Sequence, residues 1–119
     1  MLNAHFDGEV LVVQPGGPIT RDDVASLTKT ADEYLAAHPK IVGVLVETRK
    51  FPGFASVGAF ADYARFIADH HARVRRLALV TDSALAPVAE FVASHVVGLE
   101  MRHFRFAESA PARIWLRLP

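Results

Sequence analysis

The sequence predicts a single α/β domain with a mostly parallel, mixed β-sheet and helices packed on it. The chain has 119 residues, 51% hydrophobic and 22% charged, so it can bury one core and is too short for two domains. Residues 41–46 and 77–80 are short apolar runs, which are typical of strands buried on both faces. Segments with helical spacing alternate with strands, which indicates right-handed crossovers and the order ββαβαβαβα.

The first two strands are predicted to form a hairpin. Asp7-Gly8 is a turn dipeptide between residues 2–6 and the β-branched segment 9–13, so we expect the chain to reverse there. A cluster of proline and glycine at 15–18 then ends the second strand.

The first helix is predicted from its capping signal. Thr20, followed three residues later by Asp23, is typical of a capping box, and the apolar residues after it recur at helical spacing. These features predict a helix over residues 21–37, which His38-Pro39 ends.

The rest of the chain is predicted to alternate strands with helices. We expect a strand at 41–46, a helix at 56–72, a strand at 77–80, a helix at 84–97, a fifth strand with Met101, His103, Phe104 and Phe106, and a terminal helix from Ser109.

Composition excludes several classes of function. Thirteen basic residues balance 13 acidic ones and the pI is about 7.0, so nothing recommends nucleic acid as a partner. The chain has no cysteine, which removes disulfides, thiol nucleophiles and cysteine-bound metals. Its start lacks the pattern of a signal peptide, and no apolar run approaches the roughly 20 residues that span a bilayer. We therefore expect a cytoplasmic protein with no integral membrane segment.

Several short motifs, in order, resemble one known family. They are Thr20-Arg21-Asp22-Asp23, Phe51-Pro52-Gly53-Phe54, His70-His71, Arg76 to Asp82, Glu100 to Phe104 and Ala112 to Leu116. Together they resemble the SpoIIAA-like family, a branch of the STAS fold that is related to the anti-sigma-factor antagonists and similar to the lipid-carrying CRAL-TRIO domains. The resemblance covers nearly the whole chain. It departs at Leu85, where the family has a tryptophan.

The second predicted helix has an unusually wide apolar surface. Asp62, Arg65 and Asp69 form a narrow polar stripe, and the opposite side holds Val57, Phe60, Ala61, Ala64, Ile67 and Ala68. Tyr63, Phe66 and His70 lie between the two. An arc of this width indicates that something besides the sheet covers the helix: a small apolar ligand, a second subunit or a loop.

We therefore predict a non-enzymatic binding domain for a small apolar or lipid-like ligand, or for a protein surface. The predicted aromatic ligand-binding residues are Phe51, Phe54, Phe60, Tyr63 and Phe66. The alternative is that Tyr63 and Phe66 pack on the core of their own chain. The same apolar surface predicts a homodimer.

A polar site is predicted at the carboxyl ends of the parallel strands, where open α/β sheets form ligand crevices. Thr81 and Asp82 are its predicted ligand-binding residues. The alternative is that Asp82 and Ser83 cap the helix that follows. A further hypothesis is an enzyme that uses Asp82 or Glu47, but no spacing guarantees a nucleophile with a base.

The histidines do not predict a metal site or a cofactor. His70 and His71 point about 100° apart on a helix, and neither has a partner at ligand spacing. The basic run over residues 70–76 could bind phosphate head groups or acidic partners. The alternative is that it neutralises the C-terminal end of the second helix.

The resemblance to the anti-sigma-factor antagonists implies a second function, a phospho-regulated protein-interaction module. Their regulated serine begins the second helix within Asp-Ser-x-Gly. Here Ser56 and Gly58 match that pattern, and Ala55 replaces the acid. A phosphate on Ser56 would lie at a helix N-terminus, where negative charge is tolerated. The alternative is that Ser56 only caps this helix.

Overall fold

The structure is a computed structural model that describes residues 2–84 and 100–119. The elements within these residues are β1 (Leu2–Asp7), β2 (Val10–Pro15), α1 (Arg21–Leu35), β3 (Ile41–Glu47), α2 (Val57–His70), β4 (Val74–Val80), β5 (Glu100–Phe104) and α3 (Ser109–Arg117). The predicted order is confirmed for these elements. The helix predicted over 84–97 lies, after residue 84, outside the described residues.

The strands form one sheet in the order β1-β2-β3-β4-β5. β1 pairs antiparallel with β2, and the other three pairings are parallel. β3 and β4 are adjacent and neither lies at an edge, as their apolar runs predict. The fifth strand ends at Phe104, so the prediction that Phe106 belongs to it is wrong. Phe106 begins a short 3₁₀ turn that leads into α3.

The hairpin is confirmed, with its turn one residue later than predicted. Asp7 pairs with Val10, so Gly8 and Glu9 form the two-residue loop. Gly8 has a φ of 62° and Glu9 has a negative φ, which is the pattern of a type II′ turn with glycine in its first position.

Both long helices begin where side-chain caps are available. The Thr20 hydroxyl accepts from the Asp23 amide, and the Asp23 carboxylate accepts from the Thr20 amide, so the predicted capping box is confirmed. Helix α1 ends at Leu35, two residues before the predicted end. Helix α2 follows Ser56, whose hydroxyl accepts from the Ala59 amide at 3.0 Å.

The sheet is covered on both faces by helices. Helix α3 packs on one face through Ala112 and Leu116, against the buried residues Val10, Val12, Leu45, Ala78, Val80 and Phe104. The opposite face carries α1 and α2, and its core contains Leu11, Val13, Leu27, Ala31, Leu35 and Ile41. Gly43 allows α3 to approach closely, because a Cβ atom there would lie 2.9 Å from Leu116 Cδ2.

The arginines of the basic run over residues 70–76 bind the ends of α1 and α3. For these arginines, the prediction that the run neutralises the C-terminal end of α2 is therefore wrong. The guanidinium of Arg73 donates to the carbonyl oxygens of Leu35, His38 and Pro39, just after α1. Arg75 and Arg76 donate to carbonyl oxygens at the end of α3. The last carbonyls of a helix are otherwise unpaired and carry partial negative charge, so these contacts stabilise both helix ends.

Candidate functional site

Four of the five predicted aromatic residues form one cluster at the start of α2. The ring of Phe54 lies at its centre, with centroids 5.9 Å from Phe51, 5.3 Å from Phe60 and 5.3 Å from Tyr63. These separations are typical of favourable aromatic contacts. Phe66, the fifth residue, lies farther along α2 and contacts the ring of His70 at 4.4 Å.

Main-chain hydrogen bonds hold the loop that carries this cluster. The Ile19 amide donates to the Gly53 carbonyl at 2.9 Å, and the Ala55 amide donates to the Ile19 carbonyl at 2.8 Å. The loop therefore adds a single parallel bridge between Ile19 and Phe54 beside the main sheet. Gly53 supplies the φ of 77° that this path requires, a conformation that other residues adopt at a cost.

An apolar cavity of about 70 Å³ lies between α2 and the sheet. Its wall includes three of the predicted residues, Phe51, Tyr63 and Phe66. The other described lining residues are Leu11, Val13, Pro15, Ile19, Leu27, Val44, Val46, Ile67, His70, His71, Val74 and Leu77. Within the described ranges, Phe54 and Phe60 do not line it. The five predicted aromatic residues are therefore divided between an aromatic cluster and the cavity wall. Phe51 and Tyr63 belong to both.

Helix α2 is turned differently from the orientation that its apolar side predicts. Val57 is 87% exposed and Phe60 is 43% exposed, so the predicted apolar side does not pack on the sheet at these two residues. Ala59, Ile67 and His70 are the buried residues of this helix. The side of α2 that carries His70 therefore faces the sheet, and part of the predicted apolar side faces solvent.

Tyr63 is the one tyrosine on the cavity wall, and its side chain is partly buried. Burial raises the pKa of the Tyr63 phenol to about 12, because the charged phenolate would lose its hydration there. No residue in 2–84 or 100–119 forms a hydrogen bond with its hydroxyl. The group therefore stays neutral at ordinary pH and keeps its capacity to donate and to accept.

The two histidines on the wall contact main-chain oxygens. The Nδ1 atom of His71 lies 3.2 Å from the Ile67 carbonyl oxygen and 3.0 Å from that of Ala68. His70 contacts the Phe66 carbonyl through Nδ1 and the carboxylate of Asp32 through Nε2. The described residues contain no group of three or more His, Cys, Asp or Glu placed to hold a metal ion.

A surface groove runs between α1 and α2, outside the cavity. It has a volume of about 540 Å³ and is lined mainly by polar residues of the two helices, including Asp32 and Arg65. Phe66 and His70 border both the groove and the cavity. These two side chains therefore separate the cavity from the outer surface between the helices.

The predicted polar residues hold loops together. Thr81 is 2% exposed, and its hydroxyl donates to the Arg49 carbonyl and accepts from the Ser83 amide. The Asp82 carboxylate accepts from the Phe106 amide at 3.0 Å and lies 3.8 Å from the Arg49 guanidinium. These contacts join the ends of β3, β4 and β5. A ligand role for Thr81 and Asp82 stays a prediction.

Glu47 is a second carboxylate at this rim. Burial pushes the pKa of Glu47 up, but hydrogen bonds from Ser109 and Gln14, with the charge of Arg113, outweigh burial and hold the pKa below its ordinary value. The carboxylate is therefore ionised near neutral pH, and both its oxygens accept hydrogen bonds. It joins β2, β3 and α3.

Ser56 is exposed at the N-terminus of α2 and forms the cap described above. The side chain of Arg21 lies against Gly58, two residues after Ser56, since a Cβ atom on Gly58 would be 3.2 Å from Arg21 Cδ. The Arg21 guanidinium pairs with Asp62 at 2.9 Å. An ion pair between Arg21 and Asp62 therefore lies near the start of α2, a feature that the sequence did not reveal.

The mixed sheet, its helices on both faces and the cavity beneath α2 define a small α/β domain with a SpoIIAA-like fold. The sequence model of the SpoIIAA-like family matches residues 10–117, and the chain belongs to this family. The resemblance inferred from the motifs is thus confirmed.

A solved structure supports the same fold. The crystal structure of an uncharacterised protein with a SpoIIAA-like fold from Shewanella loihica is 22% identical in sequence. The match covers 98% of this chain and 92% of that chain, with a TM-score of 0.75. The comparison with curated proteins found no match. Within the described ranges, no helix is long and apolar enough to cross a membrane.

Proposed function

We propose that this protein is a non-enzymatic binding domain whose cavity beneath α2 takes a small apolar ligand. The cavity itself carries the proposal, because it is lined almost entirely by apolar atoms and includes Phe51, Tyr63 and Phe66 in its wall. A concave surface of this kind favours an apolar ligand, because binding removes apolar surface from water. The volume of about 70 Å³ favours a compact ligand over a lipid chain.

The ligand reaches the cavity from the groove between α1 and α2 in this proposal. Phe66 and His70 border both spaces, so rotation of the Phe66 side chain away from His70 opens a path. Side-chain rotations of this kind occur without any change of fold.

A cavity-filling variant tests the proposal. Val46 lies on β3 and lines the cavity, so Val46→Phe places a ring in the space that a ligand needs. We expect n-pentane, added to the wild-type protein, to shift the amide NMR signals of residues around the cavity and to leave Val46→Phe unaffected. Val57→Ala is the matched control, because Val57 points to solvent and its truncation leaves the cavity intact. Absence of pentane binding to the wild type contradicts the proposal.

A second candidate is the phospho-regulated interaction module with Ser56 as acceptor. The observation that favours it is the position of Arg21 against Gly58, which places a guanidinium, paired with Asp62, near the positive end of α2. Mass spectrometry of the protein purified from its own cells tests this function. A phosphoserine at Ser56 supports it, and its absence under all growth conditions sampled rejects it.

The homodimer and the cytoplasmic location remain predictions. Val57 and Phe60 supply exposed apolar surface at the start of α2, which is where a second copy or another protein would pack.

A further inference from the structure

The imidazole of His70 lies between two hydrogen-bond acceptors. Its Nδ1 atom is 2.8 Å from the Phe66 carbonyl oxygen, and its Nε2 atom is 2.7 Å from the Oδ1 atom of Asp32. A doubly protonated ring donates to both oxygens, whereas a neutral ring keeps one N–H and turns the lone pair of its other nitrogen towards an oxygen. Two acceptors that face each other at this distance repel. Loss of the ring proton therefore breaks one of the two contacts.

The contact with Asp32 is the one that can open. The Phe66 carbonyl lies in the same helix as His70, one turn earlier, so the helix itself keeps the two together. The Asp32 carboxylate belongs to α1, and its side chain is 60% exposed, so water replaces the imidazole as its partner at little cost. A neutral His70 therefore stays bound to its own helix and releases α1.

His70 and Phe66 stand together on the path into the cavity. Both side chains border the cavity and the groove between α1 and α2. Their rings stack with centroids 4.4 Å apart and an angle of 32° between the planes. While both nitrogens of His70 are bound, the imidazole cannot turn, and the Phe66 ring stays packed on it. Release of α1 gives both rings freedom to rotate.

Asp32 is the charged group that contacts the His70 ring in the described structure. The other charged residues that line the groove are Lys29, Glu33, Asp62, Arg65 and Asp69. Beyond the end of α2, His71 and Arg73 contact main-chain carbonyls, and the described side chains of the sheet on the cavity wall are apolar. Histidine side chains ordinarily change charge between pH 5 and 8. His71 is therefore the neighbour whose titration must be separated from that of His70.

We infer that His70 and Asp32 form a pH-dependent gate for the cavity. The charged ring holds α2 to α1 and keeps the path beside Phe66 closed, and loss of the ring proton opens it. The inference rests on the proposed function, because it describes the regulation of the same cavity. A gate lowers one barrier for entry and exit alike, so both rates change by the same factor and the dissociation constant does not change.

The test follows the exchange of n-pentane by NMR at pH 5 and pH 8 in the wild type, Asp32→Asn and Glu33→Gln. The asparagine amide can accept from a protonated Nε2 or donate to a bare one, so it fits both states of the ring. Glu33→Gln makes the same charge change on the next residue of α1 and leaves Asp32 in place, which makes it the matched control.

We expect pentane to enter and leave the wild type about 2- to 10-fold faster at pH 8 than at pH 5, the effect of one hydrogen bond. Glu33→Gln should behave like the wild type. Asp32→Asn should exchange pentane at the same rates at both pH values, although its His71 is unchanged.

Rotation of the Phe66 ring gives a measurement that needs no ligand. Aromatic carbon relaxation should show faster ring flips at pH 8 than at pH 5 in the wild type and in Glu33→Gln, and equal flips in Asp32→Asn. The nitrogen signals of the His70 imidazole should lose their doubly protonated pattern over the same pH interval in which the flips become faster.

The outcomes separate the gate from the proposed function. If pentane binds the wild type with rates that do not change with pH, the gate is overturned and the proposed function stands. A pH dependence that persists in Asp32→Asn also overturns the gate, because another group, such as His71, then controls the path. If pentane does not bind the wild type, the proposed function falls, and the Phe66 ring flips alone decide whether the contact between His70 and Asp32 opens with pH.

Discussion

The Nε2 atom of His70 lies 2.7 Å from the Oδ1 atom of Asp32, and this contact joins α2 to α1. The Nδ1 atom of the same ring lies 2.8 Å from the Phe66 carbonyl oxygen. Both oxygens are acceptors, so a doubly protonated ring satisfies both contacts and a neutral ring satisfies one. Because His70 also lines the cavity, the pair fixes the spacing of the two helices at the cavity wall.

Loss of His70 should cost much more stability than loss of Asp32. His70 is 8% exposed, so His70→Ala removes buried packing and the contacts of the ring with Asp32 and the Phe66 carbonyl, and we expect a loss of about 2–3 kcal/mol. The Asp32 side chain is 60% exposed, so water screens its interaction and Asp32→Ala should cost less than about 1 kcal/mol. Urea unfolding of both variants measures the difference. Equal losses would contradict this account.

Gly43 should not tolerate a methyl group. A Cβ atom there would lie 2.9 Å from Leu116 Cδ2 and 3.0 Å from Leu116 Cβ, so α3 must shift away from the sheet. We expect Gly43→Ala to destabilise the fold by about 1–3 kcal/mol, the usual cost of overpacking.

Gly58→Ala is the matched control for this variant. Its Cβ atom would meet only the flexible side chain of Arg21, and alanine favours the helix by roughly 0.5–1 kcal/mol. Thermal unfolding should therefore show a lower melting temperature for Gly43→Ala and an equal or higher one for Gly58→Ala.

Element order and the starts of α1, β3 and α2 could be predicted because their signals are local, whereas β4 begins at Val74, three residues before its predicted start. The Thr20 capping box, the glycine of the hairpin and the apolar runs of β3 and β4 act within a few residues. The rotation of α2 could not be predicted in the same way. Apolar residues surround most of this helix, so their periodicity does not decide which side faces the sheet. The contact between His70 and Asp32, 38 residues apart, does help to decide it.

The site was predicted only in part for a similar reason. The aromatic residues near the start of α2 are close in sequence, so their clustering could be predicted from the sequence. The cavity depends on Val44, Val46 and Leu11, which only the sheet register brings under α2. The partners of Arg73 are likewise carbonyls of another helix end, and no local pattern indicates them.

Phe66 and Phe60 should differ sharply in their effect on stability. Phe66 packs against the core beneath α1 and α2 and lines the cavity, so Phe66→Ser should cost about 3 kcal/mol. Phe60 is 43% exposed, so Phe60→Ser should cost much less. Denaturant unfolding of the two variants without ligand checks this. A stable Phe66→Ser protein would show that this ring contributes little to packing.

A homodimer should form through the exposed start of α2. Val57, 87% exposed, is the most accessible of the apolar residues there, so Val57→Lys should disrupt a contact between two copies without harming the fold. Sedimentation at high micromolar concentration should show a dimer for the wild type and a monomer for this variant. A monomeric wild-type protein would reject the homodimer.

Tyr63 should make the fold sensitive to alkali. Burial raises its pKa to about 12, above the ordinary value of about 10 for a tyrosine. Between these values the unfolded chain has released the phenolic proton and the folded one has kept it, so the contribution is fully present below pH 10 and is lost as pH rises towards 12. Urea unfolding from pH 9 to 11.5 should show this loss in the wild type, and Tyr63→Phe should show a smaller one. The pKa of Tyr34 is also raised by burial and by the charge of Glu9, so Tyr34 accounts for the loss of stability that remains in the variant. Identical pH profiles for the two proteins would mean that the Tyr63 phenol titrates alike in the folded and the unfolded chain, and they would contradict this prediction.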